Sequence, residues 1–213
     1  MRLAAIATMY QRHDKTLPLL ESVLASSRRP DELWIVCEGL DDAEVALKAL
    51  NTLGASGIGA IVLPTPKTNS SYDVIPYSHK INWVLDRTCA DAVCYIDNNS
   101  LPSREKYRVM LEALEQHPDW GAVYCSQQRS GVDAKVAWAD AVLPDAYAIA
   151  NYTQVMHRRT NDRWSTNMAD ANPDLADALF WRSLHKSLGA FHPVDAPTVH
   201  DWHHIPSHAA QGL

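Results

Sequence analysis

The sequence lacks the short motifs that identify the commonest nucleotide-binding and metal-binding domains. No GxGxxG follows its first apolar run and no GxxxxGK[ST] occurs anywhere, so neither a dinucleotide Rossmann site nor a P-loop is predicted. Its four cysteines contain no CxxC pair, and most of them lie in or beside apolar runs, which favours reduced core residues. Disulfides or a zinc ribbon stay as the alternative for Cys37, Cys89, Cys94 and Cys125.

Long hydrophobic runs and a net positive charge are also missing. No run approaches the roughly 20 apolar residues that a membrane-spanning helix needs. The N-terminal stretch MRLAAIATMYQRHD has neither the basic flank nor the cleavage site of a signal peptide, so we expect a cytoplasmic protein. The formal net charge of -6 gives no overall reason to bind nucleic acid, although the basic residues Arg158, Arg159 and Arg163 keep that class open.

Strand-like apolar runs alternate with helical patterns through the first half of the chain. The predicted strands are LAAIATMY, ELWIVCEG, IGAIVLP and AVCYID. The predicted helices are TLPLLESVLASS, DDAEVALKALNTL, HKINWVLDRT and SREKYRVMLEALEQH. This alternation predicts an α/β fold with a mostly parallel sheet that is flanked by helices on both faces.

The second half is less regular. We expect a strand in GAVYCSQQ, strand-rich structure in AYAIANYTQVMHR, and a helix in LADALFWRSLHKSL that ends at Gly189. The sequence shows no internal repeat and no Gly/Ser linker, and 213 residues are tight for two cores. We therefore predict a single domain over residues 1–213.

A carboxylate and two amides follow the last strand of the first half. Asp97, Asn98 and Asn99 offer hard oxygen ligands that suit Mg²⁺ or Mn²⁺ and a bound diphosphate. We also expect this motif to be exposed, since it ends a strand. The alternative is ordinary turn chemistry, with Ser100 or Ser103 as a helix N-cap.

Several short motifs, taken in their order along the chain, resemble those of family 2-type glycosyltransferases with the GT-A fold. The stretch TMYQR matches the T-x-N-R-like element after the first strand, and VCEG contains the acidic residue that ends the second. The stretch SHKINWVL matches the helix with a basic, Asn-containing start, and DNN matches the D-x-D motif. The resemblance covers about the first 125 residues in order and the rest more loosely. The matching residues are Thr8, Tyr10, Arg12, Glu38, Lys80, Asn82, Asp97 and Asn99.

The resemblance implies a Rossmann-like nucleotide-diphospho-sugar transferase fold and a hexosyltransferase-like activity. Residues 1–127 would bind the nucleotide-sugar donor, and residues 128–213 would bind the acceptor and hold the catalytic base. Glu38 would hold the base or ribose of the donor, and Asp97 the ribose or a divalent cation, Mn²⁺ or Mg²⁺. The implied donor-binding residues are Thr8, Tyr10, Arg12, Glu38, Lys80, Asp97 and Asn98.

The last position of the D-x-D element departs from the family pattern, because Asn99 stands where a carboxylate is usual. An amide oxygen is a neutral and weaker metal ligand, so we expect weaker metal affinity or a compensating ligand. The C-terminal stretch VHDWHH offers His200 and His203, and some members of the fold close the metal site with a late histidine. The alternative is a solvated, histidine-rich tail.

Glycosyl transfer with inversion needs a general base, which in this family is an acidic residue entering a helix of the second half. The stretch MADANPDLADALFWRS offers Asp170, Asp174 and Asp177. We favour Asp177, with Asp174 next, because DALFWR resembles the D-L-W-x-R element, although the spacing to Arg182 differs by one. Helix capping by these aspartates is the alternative.

Two further features of the second half have a functional and a structural interpretation. Trp164 and Trp181 are candidates for stacking on an acceptor, or else for core packing. The stretch RRTNDRWSTNMADANP is a candidate lid over the donor phosphates, or else a surface loop.

The leading hypothesis is therefore transfer of a sugar from a nucleotide-sugar to the hydroxyl of a saccharide, a protein or a modified nucleic-acid base. A nucleotidyltransferase is disfavoured because no Gly-rich, Lys-containing loop follows the first strand. A non-catalytic nucleotide-sugar-binding protein with a degenerate metal site is the other alternative. The fold assignment requires Thr8, Glu38 and Asp97 to lie in one cleft at the carboxyl edge of the sheet.

Overall fold

The computed structural model describes residues 1–9, 13–54, 59–65, 74–97, 100–125, 127–129, 136–137, 152–166, 173–194 and 199–201. The first half contains β1 (Leu3–Met9), α1 (His13–Leu24), β2 (Glu32–Glu38), α2 (Gly39–Thr52), β3 (Gly59–Thr65), α3 (Val74–Leu85), β4 (Ala92–Asp97), β5 (Ser100–Leu101) and α4 (Lys106–Gln116). Then follow β6 (Ala122–Tyr124), β7 (Gln127–Arg129), β8 (Val136–Ala137), a 3₁₀ turn (Tyr152–Gln154), β9 (Val155–Arg158), α5 (Pro173–Leu188), β10 (Phe191–Pro193) and β11 (Val199–Asp201).

The main sheet has seven strands in the order β10-β6-β9-β4-β1-β2-β3. Strands β1 to β4 run parallel, β10 runs parallel to β6, and β9 runs antiparallel to both of its neighbours. The mostly parallel sheet predicted from the sequence is confirmed. A smaller sheet has the order β5-β11-β7-β8, so the predicted strand GAVYCSQQ is in fact divided between two sheets as β6 and β7.

The central strands are buried on both faces, and this follows from their composition. Every residue of β1 and of β4 is buried, as expected for continuous apolar runs between two helical layers. Strand β3 lies at one end of the sheet, carries an exposed Ile61, and contains Pro64, which cannot donate a ladder hydrogen bond and is tolerated at an edge.

Alternate residues of the strands pack against helices on opposite faces of the sheet. Leu3, Ala5 and Ala7 of β1 belong to one core cluster, together with apolar residues of α1, α2 and α4. Ala4 and Ile6 belong to the other, together with apolar residues of α3 and α5. The period-2 alternation of the strand thus yields the three-layer arrangement.

An aromatic cluster fills the second core and corrects the stacking hypothesis for two tryptophans. Trp164 and Trp181 are 4% and 1% exposed. The ring of Trp164 stacks on Phe180 at 4.5 Å between centroids, and both tryptophans contact Tyr95 edge-on. Neither indole is available to an acceptor, because the cluster that also contains His157 encloses both.

The arginines of the proposed lid lie at the amino edge of the sheet, the edge at which the parallel strands begin. Arg158 donates to the carbonyl oxygen of Trp120, which precedes β6, at 2.8 Å. Arg159 donates to the Thr88 carbonyl at 2.7 Å, and Arg163 to Asp86 Oδ1 at 2.7 Å, both just ahead of β4. A lid role over phosphates at the opposite edge is therefore wrong for these three side chains.

All four cysteines are free thiols, as predicted, but the predicted core position is wrong for Cys89. Cys37, Cys94 and Cys125 are buried, whereas Cys89 is exposed. Burial raises the pKa of Cys94 to about 12, so this thiol stays protonated at neutral pH. Over the described ranges, no helix combines the length and the hydrophobicity that crossing a bilayer requires.

Candidate functional site

The order of the central strands creates a crevice between β1 and β4. The chain builds β1, β2 and β3 toward one side, and β4 then pairs with the free side of β1. The connections on either side of this reversal diverge, which opens space at the carboxyl edge, where the parallel strands end. Thr8 and Asp97 are register partners at this point.

Glu38 ends the strand on the other side of β1. Cys37 pairs with Met9 of β1, and Glu38 lies one residue further along β2. Gly39 follows with φ of 88°, a conformation that glycine adopts without strain, and this lets α2 begin directly after Glu38. The predicted location of Thr8, Glu38 and Asp97 at one sheet edge is therefore observed.

These three side chains are largely buried. Thr8, Glu38 and Asp97 are 7%, 5% and 9% exposed. The expectation of exposure is wrong for Asp97, because β1 pairs with β4 as far as Asp97 and helical layers cover both faces of the sheet. The three residues therefore lie buried at the carboxyl edge, beside the point where the strand order reverses.

The positive charge of Lys80 also influences the carboxyl end of β2. The pKa of the Cys37 thiol is raised to about 12, first by burial and then by the negative charge of Asp42, while the positive charge of Lys80 lowers it. Lys80 is a residue of α3 and is 9% exposed. The predicted donor-binding lysine is thus close enough to this strand end to influence its electrostatics.

Asn82, which the resemblance groups with Lys80, has a structural role. Its side-chain amide donates to the Trp164 carbonyl oxygen at 2.9 Å and accepts from the Trp164 backbone N–H at 2.8 Å. This pair of bonds fixes the segment after β9 to helix α3.

A histidine–aspartate pair at the same edge was not predicted from the sequence. His13 Nε2 lies 2.6 Å from Asp42 Oδ1. The imidazole is 48% exposed and the carboxylate 5%. The two residues are 29 positions apart in the chain, so no local pattern could reveal the contact.

A fully buried lysine lies at the carboxyl edge as well. Lys106 is 0% exposed, and its ammonium donates to the carbonyl oxygen of Thr153 in the turn ahead of β9. Because β9 runs antiparallel to β4, this turn lies at the carboxyl edge. The positive charge of Lys106 lowers the pKa of Cys94 and Cys125, although burial raises both pKa values more strongly.

The proposed base residues lie in the first two turns of α5. Leu188, near the end of this helix, is beside Gly121 at the amino end of β6, and Trp181 contacts Tyr95 in the middle of the sheet. Helix α5 therefore runs away from the carboxyl edge, and its first turns, with Asp174 and Asp177, lie on the side of that edge. The structure describes the backbone of these two residues and not their side chains.

The backbone of one predicted metal ligand pairs with the segment after the DNN motif. In the smaller sheet His200 is opposite Leu101, and Asp201 is opposite Ser100. The side chains of β11 are not described, and Tyr10, Arg12, Asn98, Asn99, Asp170 and His203 lie outside the described residues. Within the described part of the chain, no group of three or more His, Cys, Asp or Glu side chains is arranged to hold a metal ion.

Comparison with known proteins finds one distant curated relative. No family model matches the sequence. Protein CgeD of Bacillus subtilis (strain 168) is 23% identical over 212 residues, a stretch that covers 91% of this chain and 48% of CgeD. The chain thus spans about half the length of this relative.

Solved structures resemble the fold throughout. S. aureus TarS 1-349 in complex with UDP-GlcNAc superposes with a TM-score of 0.74 at 12% identity, covering 100% of this chain and 62% of that one. The mannosyltransferase PcManGT from Pyrobaculum calidifontis, in complex with GDP-Man and Mn²⁺, superposes with a TM-score of 0.64 at 12% identity. The match covers 98% of this chain and 59% of that one. Glucosyl-3-phosphoglycerate synthase from Mycobacterium tuberculosis superposes with a TM-score of 0.59 at 11% identity, and the match covers 95% of this chain and 72% of that one. The chain therefore has the GT-A fold that the order of its motifs implied.

Proposed function

We propose that the protein transfers a sugar from a nucleotide-sugar donor to an acceptor hydroxyl. The observation that carries this proposal is the position of Thr8, Glu38 and Asp97 at the switch point of a GT-A sheet. Supporting it, solved structures with this fold contain UDP-GlcNAc or GDP-Man. In this proposal Glu38 holds the base or ribose, and Asp97 the ribose or the metal.

The remaining donor contacts follow from the motif order. Lys80 contributes positive charge near the end of β2, where it already influences Cys37. The other proposed donor-binding residues are Tyr10, Arg12 and Asn98.

A divalent cation fits the chemistry of the residues available, with Mn²⁺ preferred to Mg²⁺. The proposed ligands are Asp97, Asn99, His200 and His203, and a set that includes imidazole favours the softer ion. Supporting this set, β11 pairs with β5, so the backbone of His200 runs beside the segment that directly follows Asn99. When bound, the cation neutralises the diphosphate leaving group.

The acceptor hydroxyl loses its proton to an aspartate of α5 in this proposal, Asp177 first and Asp174 second. The direction of α5 supports this role, because the helix begins on the side of the sheet where the donor crevice opens. Residues 1–127 bind the donor and residues 128–213 provide the acceptor side. The acceptor class, saccharide, protein or modified nucleic-acid base, and the cytoplasmic location stay predictions.

A second function is favoured by a single residue. Asn99 replaces the usual carboxylate, as expected of a non-catalytic nucleotide-sugar-binding protein whose metal site has degenerated.

One experiment separates the two functions. The purified protein is incubated with UDP-GlcNAc, UDP-glucose or GDP-mannose in Mn²⁺, Mg²⁺ or chelator, and both thermal stability and nucleoside diphosphate release are measured. Binding at a hundred times the dissociation constant stabilises the folded state by about 2.7 kcal/mol. Release that needs a donor and Mn²⁺ supports the transferase, stabilisation without release supports the binding protein, and neither effect with any donor contradicts both.

A further inference from the structure

We propose that His13 contacts the nucleoside portion of the donor through its Nδ1 atom, and that Asp42 fixes the imidazole ring for this contact. This inference rests on the proposed function, because it assumes a nucleotide in the crevice. It assigns a specificity-determining residue that the motif order did not indicate.

The geometry of the pair sets the hydrogen-bonding character of the exposed nitrogen. An ionised carboxylate only accepts hydrogen bonds, so the 2.6 Å contact requires His13 Nε2 to carry the proton that it donates to Asp42 Oδ1. In the neutral ring Nδ1 is then the acceptor. No described residue hydrogen-bonds to Nδ1, and the imidazole is 48% exposed.

The pair lies at the sheet edge where the proposed function puts the nucleotide. His13 begins α1, the helix that follows β1, and Asp42 lies in the first turn of α2, which directly follows β2. The pair therefore spans the carboxyl ends of the two strands that carry Thr8 and Glu38. The negative charge of Asp42 acts on the Cys37 thiol, which locates it at this end of β2 independently.

The unequal burial of the two partners distinguishes this arrangement from a tie between two helices. A tie would gain most from burying both partners, because water competes for an exposed hydrogen bond. Here the carboxylate is 5% exposed while the ring extends into solvent. A buried carboxylate behind an accessible imidazole is the arrangement by which proteins fix the tautomer and orientation of a histidine that meets a ligand.

The ligand group must be a hydrogen-bond donor on the nucleoside. Uracil and guanine each carry a ring N–H on their pairing edge, whereas the ring nitrogen of adenine and cytosine there is an acceptor and their donor is an exocyclic amino group. Ribose hydroxyls are the other source of a donor, and they do not distinguish between bases.

His13→Gln separates the two ring nitrogens, because the glutamine amide reaches the position of Nε2 and keeps an N–H for Asp42 but has no counterpart of Nδ1. Dissociation constants of UDP, GDP, CDP, ADP and 2′,3′-dideoxy-UDP are measured by calorimetry for wild type and variant. Losing one hydrogen bond weakens binding by about tenfold. A loss confined to UDP, GDP and 2′,3′-dideoxy-UDP, which keeps the uracil ring, identifies the base as the partner. An equal loss for all nucleotides except the dideoxy compound identifies the ribose.

Asp42→Asn supplies a second test that leaves the imidazole in place. An amide N–H can donate to Nε2, which moves the ring proton to Nδ1 and turns the acceptor into a donor. We expect the same nucleotides to lose affinity as with His13→Gln. The matched controls are His185→Gln and Asp86→Asn, near the amino edge, which should bind every nucleotide as the wild type does.

The failures are distinguishable. Unchanged affinity of folded His13→Gln for every nucleotide that the wild type binds overturns the role of His13 and leaves the proposed function standing. Should His13→Gln not fold, unchanged affinity of Asp42→Asn does the same. If the wild type binds none of the nucleotides, the proposed function fails and the inference fails with it.

Discussion

Thr8 and Asp97 lie opposite each other in the ladder between β1 and β4, one residue before the end of one strand and at the end of the other. They are 7% and 9% exposed, so the ladder and its flanking layers hold both side chains tightly. The central position of the proposed donor crevice is therefore occupied by two buried strand residues, which in this proposal favours accurate placement of a bound diphosphate.

Asp97→Asn should abolish sugar transfer while the fold is retained. The amide has nearly the same volume as the carboxylate, which matters at a buried position, but it removes the negative charge proposed to hold the ribose or the metal. We expect transfer to fall by at least about a hundredfold. Initial rates with a saturating donor test this, with the exposed Asp119→Asn as control; equal rates in wild type and Asp97→Asn would show that the D-x-D interpretation is wrong.

Asn99→Asp should strengthen Mn²⁺ binding to the free protein, because it restores a carboxylate to the proposed ligand set. In the wild type, metal and nucleoside diphosphate should bind with positive cooperativity, each tightening the other by the same factor. Calorimetry of Mn²⁺ binding with and without UDP measures both effects. Tight metal binding by the wild type that UDP does not change would rule out the coupling, and His200→Ala beside His203→Ala identifies which imidazole contributes.

Asp177→Asn should stop transfer without weakening donor binding. A general base acts on the acceptor proton, and its loss typically costs about a hundredfold to ten-thousandfold in rate. Measuring both kcat and the dissociation constant of the donor for wild type and Asp177→Asn decides the role of this residue. If Asp174→Asn loses kcat instead and Asp177→Asn keeps it, the base is Asp174; a loss of donor affinity in Asp177→Asn would contradict a base role.

The pH dependence of stability should show the burial of His157. Its pKa is lowered to about 4 because burial disfavours the charged ring. In the neutral ring, Nε2 accepts from Tyr95 Oη at 3.0 Å and Nδ1 donates to the Arg158 carbonyl oxygen at 2.7 Å. The unfolded chain therefore binds the proton more readily. Stability is complete above the ordinary pKa of about 6.5 and falls toward pH 4, by about 3 kcal/mol in all.

Urea unfolding at several pH values between 4 and 7 measures this slope. His157→Gln should flatten it, whereas a substitution of the exposed His79 should leave it unchanged. A slope that persists in His157→Gln would assign the proton uptake to another group.

Gly121→Ala should destabilise the contact between β6 and α5. An added Cβ would overlap Leu188 Cβ and lie 2.6 Å from the Leu188 carbonyl oxygen, so the helix end must move. Overpacking of this kind costs about 1–3 kcal/mol, and each kcal/mol lowers the Tm by about 2–4 °C in a domain of this size. Gly59→Ala is the control, since its Cβ meets only the Asp31 carbonyl at 3.7 Å; an unchanged Tm in Gly121→Ala would contradict the close approach.

The sequence predicted the elements whose signal is local. The strands β1, β2 and β4 are continuous apolar runs, and helix α5 ends at Gly189, whose φ is 81°. Strands β5, β10 and β11 have two or three residues each, too few for any periodicity, and were not predicted. The position of β9 between β4 and β6 depends on packing far along the chain, which no local pattern encodes.

In the candidate site, too, some residues could be predicted from local sequence patterns and others could not. Residues at strand ends were predictable, because the carboxyl ends of parallel strands meet at one edge. Lys106 was not, since a lysine at a helix start normally lies in solvent, and only the fold shows that it is buried against the turn before β9. His13 was missed because its partner belongs to another helix.

The antiparallel strand β9 also has a consequence for how the chain folds. Tyr95 and His157, bonded across the sheet, are 62 positions apart, whereas Leu3 and Asp31 at the start of β1 and β2 are 28 apart. Longer loops close at a higher entropic cost, so the contacts of β1 with β2 should form before β9 docks. Strand β9 would then dock on a preformed pair of β1 and β2, and the amide protons of β9 should gain protection from exchange later during refolding than those of β1.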